Sequence, residues 1–179
     1  MKPFLFDILK EIIGDAKCKF IAEVGTHKGG TAQQLISLFA PRVDHLTYYG
    51  YDIFDAENPD QEFHKRERNG KAPAAFDAAT ATLKKMQRVH KNVSYKLYKG
   101  FTTDTMESTK FDFVYIDGGH SYETVKHDYE KVKDSSIIVF DDVKITGVNT
   151  FIKELIADGV NVEIVNTVVS KHVWAVIRN

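Results

Sequence analysis

Disulfide chemistry is all but absent from this chain, which carries one cysteine, Cys18, among 179 residues. That excludes an internal disulfide framework and fits a reducing, cytoplasmic setting. Cys18 borders an apolar strand, so a buried structural thiol is expected rather than a reactive one. Surplus charge is lacking too: the formal net charge is −1. Nothing in that balance calls for nucleic acid or an anionic membrane. No signal peptide is expected. The apolar residues of the first helix are interrupted at helical spacing by Asp7, Lys10 and Glu11, which reads as an amphipathic helix and not a membrane span. Internal repeats and low-complexity tracts are also missing. The length suits a single domain, 1–179, with a sizeable core.

A further absence is more specific. The chain has no Gly-x-Gly-x-x-Gly dinucleotide turn after its first strand. It has Glu23-Val24-Gly25-Thr26-His27-Lys28-Gly29-Gly30-Thr31, between the apolar run Phe20-Ile21-Ala22 and the amphipathic run Leu35-Ile36-Ser37-Leu38-Phe39. This is a buried strand, a glycine-rich turn and a helix start. Gly25 can adopt a backbone angle closed to other residues, and Gly29 and Gly30 permit close approach of the main chain to a ligand and of helix to strand. The acidic-x-Gly-x-x-x-Gly spacing points away from a pyrophosphate and towards S-adenosylmethionine (SAM). SAM carries a cationic sulfonium and an amino-acid end, and an acidic residue at the strand end can receive the ammonium.

Hydrophobic periodicity and turn signals predict helix 3–14, strand 20–24, helix 29–40, strand 46–52, a variable segment 54–71, helix 73–89, strand 93–99, short helix 102–107, strand 111–116, helix 121–133, strand 136–140, helix 147–158 and strands 161–166 and 171–178. Strands alternating with helices imply a parallel sheet covered on both faces. The last two strands have no helix between them and should form an antiparallel hairpin. The segment 54–71 is polar, with Asn58-Pro59-Asp60 and Asn69-Gly70 as turn signals. It leaves the carboxyl end of the second strand, where ligands bind in open α/β sheets. It reads equally as a lid or as a solvated insertion.

Strand ends carry the remaining candidate chemistry. Asp52 closes the second strand, at the distance from the glycine turn expected of a ribose-binding carboxylate. Gly100-Phe101-Thr102-Thr103 follows the third strand and could flank an adenine ring. The fourth strand ends in Asp117-Gly118-Gly119-His120-Ser121-Tyr122-Glu123, and the fifth in Asp141-Asp142. Adjacent parallel strands would bring three carboxylates and an imidazole together. Such carboxylates repel one another unless a cation is shared. A divalent ion, Mg²⁺ by default, at Asp117, Asp141 and Asp142 is the economical account. The other is that Asp117 touches SAM and the aspartate pair caps a loop. His120 is the best general-base candidate, with a fourth-ligand role open. His27 and Lys144 could replace it; His45, His64, His90, His127 and His172 receive no chemistry.

Taken together, Glu23 to Gly30, Asp52, Ile116 to Glu123 and Phe140-Asp141-Asp142-Val143 resemble the class I SAM-dependent methyltransferases, and most closely the small metal-dependent O-methyltransferase-like group with an Asp-Gly-x-His-Ser-Tyr turn. The resemblance spans nearly the whole chain. It implies a Rossmann-like α/β fold, a seven-stranded sheet of order 3-2-1-4-5-7-6 with strand 7 antiparallel and helices on both faces. It implies that Glu23, Gly25, Thr26 and Gly29 contact SAM, with Glu23 and Gly25 facing its methionine part and Asp52 its ribose, and that Asp117, Asp141 and Asp142 bind Mg²⁺. Where catechol-type relatives carry a lysine base, this chain carries His120. The expected function is methyl transfer from SAM to an oxygen of a small molecule. The alternatives are a metal-dependent hydrolase and a SAM- or nucleotide-binding module without turnover. The expected partner is a small-molecule acceptor, with neither nucleic acid nor membrane; a homodimer is left open.

Overall fold

A computed structural model describes residues 3–54, 76–166 and 172–179. Its described elements run α1 (Pro3–Ile13), β1 (Phe20–Val24), α2 (Gly30–Phe39), a 3₁₀ turn (Ala40–Arg42), β2 (Leu46–Asp52), α3 (Phe76–Val89), β3 (Val93–Lys99), α4 (Thr102–Thr105), β4 (Phe113–Ile116), α5 (Tyr122–Val132), β5 (Ile137–Phe140), α6 (Thr146–Ala157), β6 (Val162–Asn166) and β7 (Val173–Arg178). One seven-stranded sheet has the order β3-β2-β1-β4-β5-β7-β6. The first five strands pair in parallel, and β7 runs antiparallel between β5 and β6. This is the expected fold.

The central strands show why. β4 (Phe-Val-Tyr-Ile) is buried at every position, and β5 (Ile-Ile-Val-Phe) at all but its first. Such runs need cover on both faces, and helices supply it. On one face Leu9, Leu35, Phe39 and Leu83 from α1, α2 and α3 pack on Ile21, Tyr48, Tyr115 and Trp174. On the other, Val125, Tyr129, Phe151 and Leu155 from α5 and α6 pack on Val24, Val114 and Phe140. Alternation along β1 therefore turns Ile21 and Glu23 towards the α1–α3 face and Ala22 and Val24 towards the other.

β4 begins two residues later than the sequence pattern suggests. Asp112 is spent instead on β1, its Oδ2 accepting the backbone N–H groups of Lys19 (2.7 Å) and Phe20 (2.9 Å). Cys18 is buried as expected. Burial, and secondarily Asp112, push its thiol up to about 12, so it is an inert thiol. Among the described residues no helix is long and apolar enough to cross a membrane. Of the segment 54–71, read as a lid or an insertion, only Phe54 is described; 55–71 lie outside the described residues. Phe54 is buried and meets Phe76 edge-on, with ring centroids 5.2 Å apart.

Candidate active site

The glycine turn leaves β1 by folding back over the end of β2. The N–H groups of Gly25 and Thr26 both donate to Tyr51 O, at 2.8 and 3.3 Å, and Gly29 N–H closes the turn on Thr26 O at 2.8 Å. Gly25 has φ 92°, and a Cβ there would lie 2.1 Å from the Asp117 carbonyl oxygen. Its glycine requirement thus comes from the backbone at the end of β4, which occupies the room a side chain would take. Gly29, at φ 81°, precedes α2, and its Cβ would press on Thr82 of α3 at 3.1 Å. Gly30 has open space around it.

Asp52 is the clamp of this turn. Its Oδ2 accepts the N–H of His27 at 2.7 Å and its Oδ1 that of Phe54 at 2.5 Å. A carboxylate has about four lone-pair sites, so two bonds leave capacity for a diol. The Asp52 carbonyl accepts the Gly100 N–H at 3.0 Å, which fixes the loop after β3 beside it. That loop is held from behind as well. Thr102 Oγ1 donates to Oδ1 of Asp128 on α5 at 2.6 Å, and Asp128 is fully buried. Asp128 has no motif to betray it in the sequence.

Beneath the turn, on the α1–α3 face, lies a buried polar chain. Glu23 is 1% exposed and Thr26 is 1% exposed. The Tyr48 hydroxyl donates to Glu23 Oε2 and lies 3.3 Å from Thr26 Oγ1. Thr31, in the first turn of α2, faces the Glu23 side chain and favours its ionised form. Burial holds the Glu23 carboxyl well above its usual range; Asp117 and Asp52 add to that, while Tyr48 and Thr31 oppose it.

The second half of the site grows from β4 and β5. Asp117 N–H donates to Val24 O at 2.8 Å, locking the β4 end to the β1 end. The ligand atoms of Asp117, His120 and Asp142 lie within 4.8 Å of one another. His120 Nε2 is 3.2 Å from Asp142 Oδ2. Asp141 does not share that group. It is buried, accepts from the Tyr115 hydroxyl at 2.6 Å and takes the Asp142 N–H on Oδ1 at 2.7 Å. Trp174 Nε1 reaches the same Tyr115 oxygen at 3.4 Å. Burial, with Asp141 and Asp117 nearby, holds the Tyr115 phenol well above its usual value, so it stays a donor.

Asp141 instead shares a group with Asp142 and His172. His172 carries no motif in the sequence that points to chemistry. The antiparallel register pairs Phe140 with Ala175, and so carries His172 past the end of β5 to within 4.0 Å of Asp142. That placement depends on a strand order no local pattern encodes.

His120 is set by its neighbours on both sides. Ser121 caps α5, its hydroxyl accepting the Thr124 N–H at 3.2 Å. A Cβ on Gly147, in the first turn of α6, would lie 2.2 Å from the His120 carbonyl oxygen. Gly147 is therefore part of the site's scaffold, and its only sequence signal is a glycine inside a predicted helix start. Among the described residues, the non-glycine residues with positive φ are His27 (50°), Phe54 (52°) and Asp142 (53°). They stand beyond the ends of β1, β2 and β5. Such backbone strain persists where surrounding structure enforces it, and it gathers at functional sites.

Residues 22–143, about two thirds of the chain, match the family described as a methyltransferase domain. The chain belongs to that family, within the class I SAM-dependent methyltransferases. Solved structures share the fold at low identity. An O-methyltransferase from Bacillus cereus in complex with SAH, the demethylated product of SAM, is 16% identical, with TM-score 0.64, over 100% of this chain and 82% of that chain. TomG, an O-methyltransferase of tomaymycin synthesis from Streptomyces achromogenes, solved with SAM, is 17% identical at TM-score 0.57, over 98% of this chain and 78% of that one. Precorrin-6y C5,15-methyltransferase from Geobacter metallireducens is 16% identical at TM-score 0.57, over 96% and 86%. No curated protein matches the sequence.

The donor set at the β4 and β5 ends suits a divalent cation. Two carboxylates and one imidazole are close enough to share an ion. A nitrogen donor is more typical of Mn²⁺, Fe²⁺ or Zn²⁺ than of Mg²⁺, which prefers oxygen alone.

Proposed function

We propose that this methyltransferase-family protein moves the methyl group of SAM to an oxygen of a small molecule, assisted by a divalent cation. One observation carries the reading. The glycine turn with Asp52 and the group Asp117–His120–Asp142 lie side by side on one edge of the sheet, joined by the bond from Asp117 N–H to Val24 O. A donor site and an acceptor site must adjoin in this way for in-line displacement, where alignment supplies much of the catalysis. The Bacillus cereus relative binds SAH and TomG binds SAM, which supports SAM as the donor here.

In this reading Glu23 meets the amino group of SAM, Gly25, Thr26 and Gly29 form the wall behind its methionine part, Asp52 takes the ribose diol, and Gly100 and Phe101 border the adenine. Asp117 and Asp142 hold the cation, Asp141 braces Asp142 through its backbone N–H, and His120 accepts the acceptor's proton. A bound divalent ion would supply Lewis acidity that favours the deprotonated acceptor oxygen.

The test is calorimetry with SAH, then turnover on a panel of hydroxylated acceptors with and without chelator. SAH binding with chelator-sensitive methylation is expected. Absence of SAH binding would overturn the reading, and metal-dependent hydrolysis without SAH affinity would replace it.

A further inference from the structure

The buried chain beneath the glycine turn has a property the cofactor assignment alone does not explain. Tyr48 has one hydroxyl proton and gives it to Glu23. Its oxygen then stands 3.3 Å from Thr26 Oγ1, which can only be satisfied as donor to it. The bonds thus run one way, from Thr26 through Tyr48 to Glu23, and they end on the Glu23 carboxyl. Gly50 makes the assembly possible. A Cβ there would lie 2.6 Å from Thr26 Oγ1 and 3.0 Å from the Tyr48 ring. A tyrosine at this depth is not needed to fill the core, since a phenylalanine has the same ring. Its hydroxyl is specific to Glu23.

The groups that face Glu23 are Tyr48 from β2, Thr31 from α2, and the charges of Asp52 at the end of β2 and Asp117 at the end of β4. The two charges are acidic. A buried acid facing other acids is held neutral until a cation arrives, and a hydrogen bond donor aimed at it favours the ionised form. Donation to a charged group is worth about twice donation to a neutral one. Tyr48 therefore lowers the cost of ionising Glu23 at the moment an ammonium enters.

We propose that Tyr48 is a positioning residue for recognition of the amino group of SAM, acting through Glu23 and supported by Thr26. The inference rests on the reading that Glu23 receives that ammonium. It assigns discrimination between ligands with and without an amino-acid end to a side chain that touches neither.

The experiment compares SAH with 5′-methylthioadenosine, which has the same nucleoside and no amino group. Tyr48→Phe should weaken SAH binding by roughly tenfold, from loss of a hydrogen bond to a charged group, and leave 5′-methylthioadenosine binding unchanged. SAH affinity should also fall at a higher pH in the variant than in the wild type, since Glu23 is then harder to ionise; 5′-methylthioadenosine should show no such shift. Glu23→Gln should lose SAH selectively, and adding Tyr48→Phe to it should cost nothing further. Should Tyr48→Phe disturb the fold, Thr26→Val, which keeps the phenol, should weaken SAH in the same direction by less. Equal loss of both ligands, or no loss of either, would overturn the proposal. Wild-type protein that binds neither ligand would instead overturn the cofactor reading. Wild type that binds both, with Glu23→Gln unaffected, would leave that reading intact and remove Glu23 and Tyr48 from amino-group recognition.

Discussion

Glu23 sets ligand binding against stability within one side chain. Its folded carboxyl is held above the ordinary value of 4.5, so the folded state binds this proton more tightly than the unfolded chain. The associated stability is full below the ordinary value and is lost as pH rises through the raised folded value. Glu23→Gln keeps the shape, still accepts from Tyr48 and never ionises. Thermal melts of the ligand-free protein between about pH 5 and pH 8 should therefore show a higher and flatter stability for the variant, although it no longer binds SAH. An unchanged or lower melting temperature at the alkaline end would contradict this. Gly25 offers a sharper test. An added Cβ meets the Asp117 carbonyl at 2.1 Å on a φ of 92°, so Gly25→Ala should separate the β1 and β4 ends. The left-handed strain alone is about 1–3 kcal/mol. SAH binding by calorimetry should disappear, with a lowered melting temperature. The glycine requirement at this position was legible in the sequence, but its cause was not: the turn spacing suggested room for a ligand, and the packing shows the backbone of another loop in that space. Tyr48 and Gly50 were illegible for a related reason. Nothing in a strand reading Leu-Thr-Tyr-Tyr-Gly-Tyr-Asp says that one tyrosine faces a buried acid on the neighbouring strand.

At the scale of elements, the turn between β4 and α5 and the start of α6 form one unit around His120. The motif from Asp117 to Glu123 was readable because chemistry concentrates in a short run. Gly147 was not, because its partner lies across space. Gly147→Ala would drive a methyl against the His120 carbonyl, 2.2 Å away, and push α6 from the turn. Turnover should fall while SAH affinity holds, since the glycine turn and Asp52 are untouched. Joint loss of both would mean that α6 supports the whole edge rather than His120. His120→Ala should lower turnover by roughly 10²–10⁴-fold if the imidazole is the base, with metal affinity nearly intact. Asp142→Asn should weaken metal binding, read by calorimetry with Mn²⁺ and Mg²⁺ separately. Were the imidazole a ligand instead, Mn²⁺ would bind more tightly than Mg²⁺. Should His120→Ala remove that preference, the imidazole is a ligand and the base lies elsewhere.

Across the whole molecule, fold class and core were the most legible features. Alternating helices and strands and one terminal hairpin are enough to give a parallel sheet closed by an antiparallel pair, whereas the order 3-2-1-4-5-7-6 was legible only through the family resemblance. What strand order then does to individual residues could not be read ahead of it. It carries His172 to Asp142 and Trp174 to Tyr115, each from a hairpin that looked merely structural. Bound at this site, SAH should stabilise the folded state by RT ln(1 + [L]/Kd), read as a rise in melting temperature. Tyr115→Phe should not abolish this effect, since Tyr115 serves Asp141 on the acceptor side.

The position of β7 has a further consequence, for the order in which the chain can acquire its structure. β6 has β7 as its strand neighbour and reaches the sheet through it. Until residues 173–178 have left the ribosome, β6 has nothing to pair with and the apolar edge of β5 is open. Synthesis from the amino end can complete β1 to β5 early, but the sheet can close only after β7 has followed. A released chain truncated after Asn166 should therefore be cut readily by protease at residues 162–166, where the full chain resists.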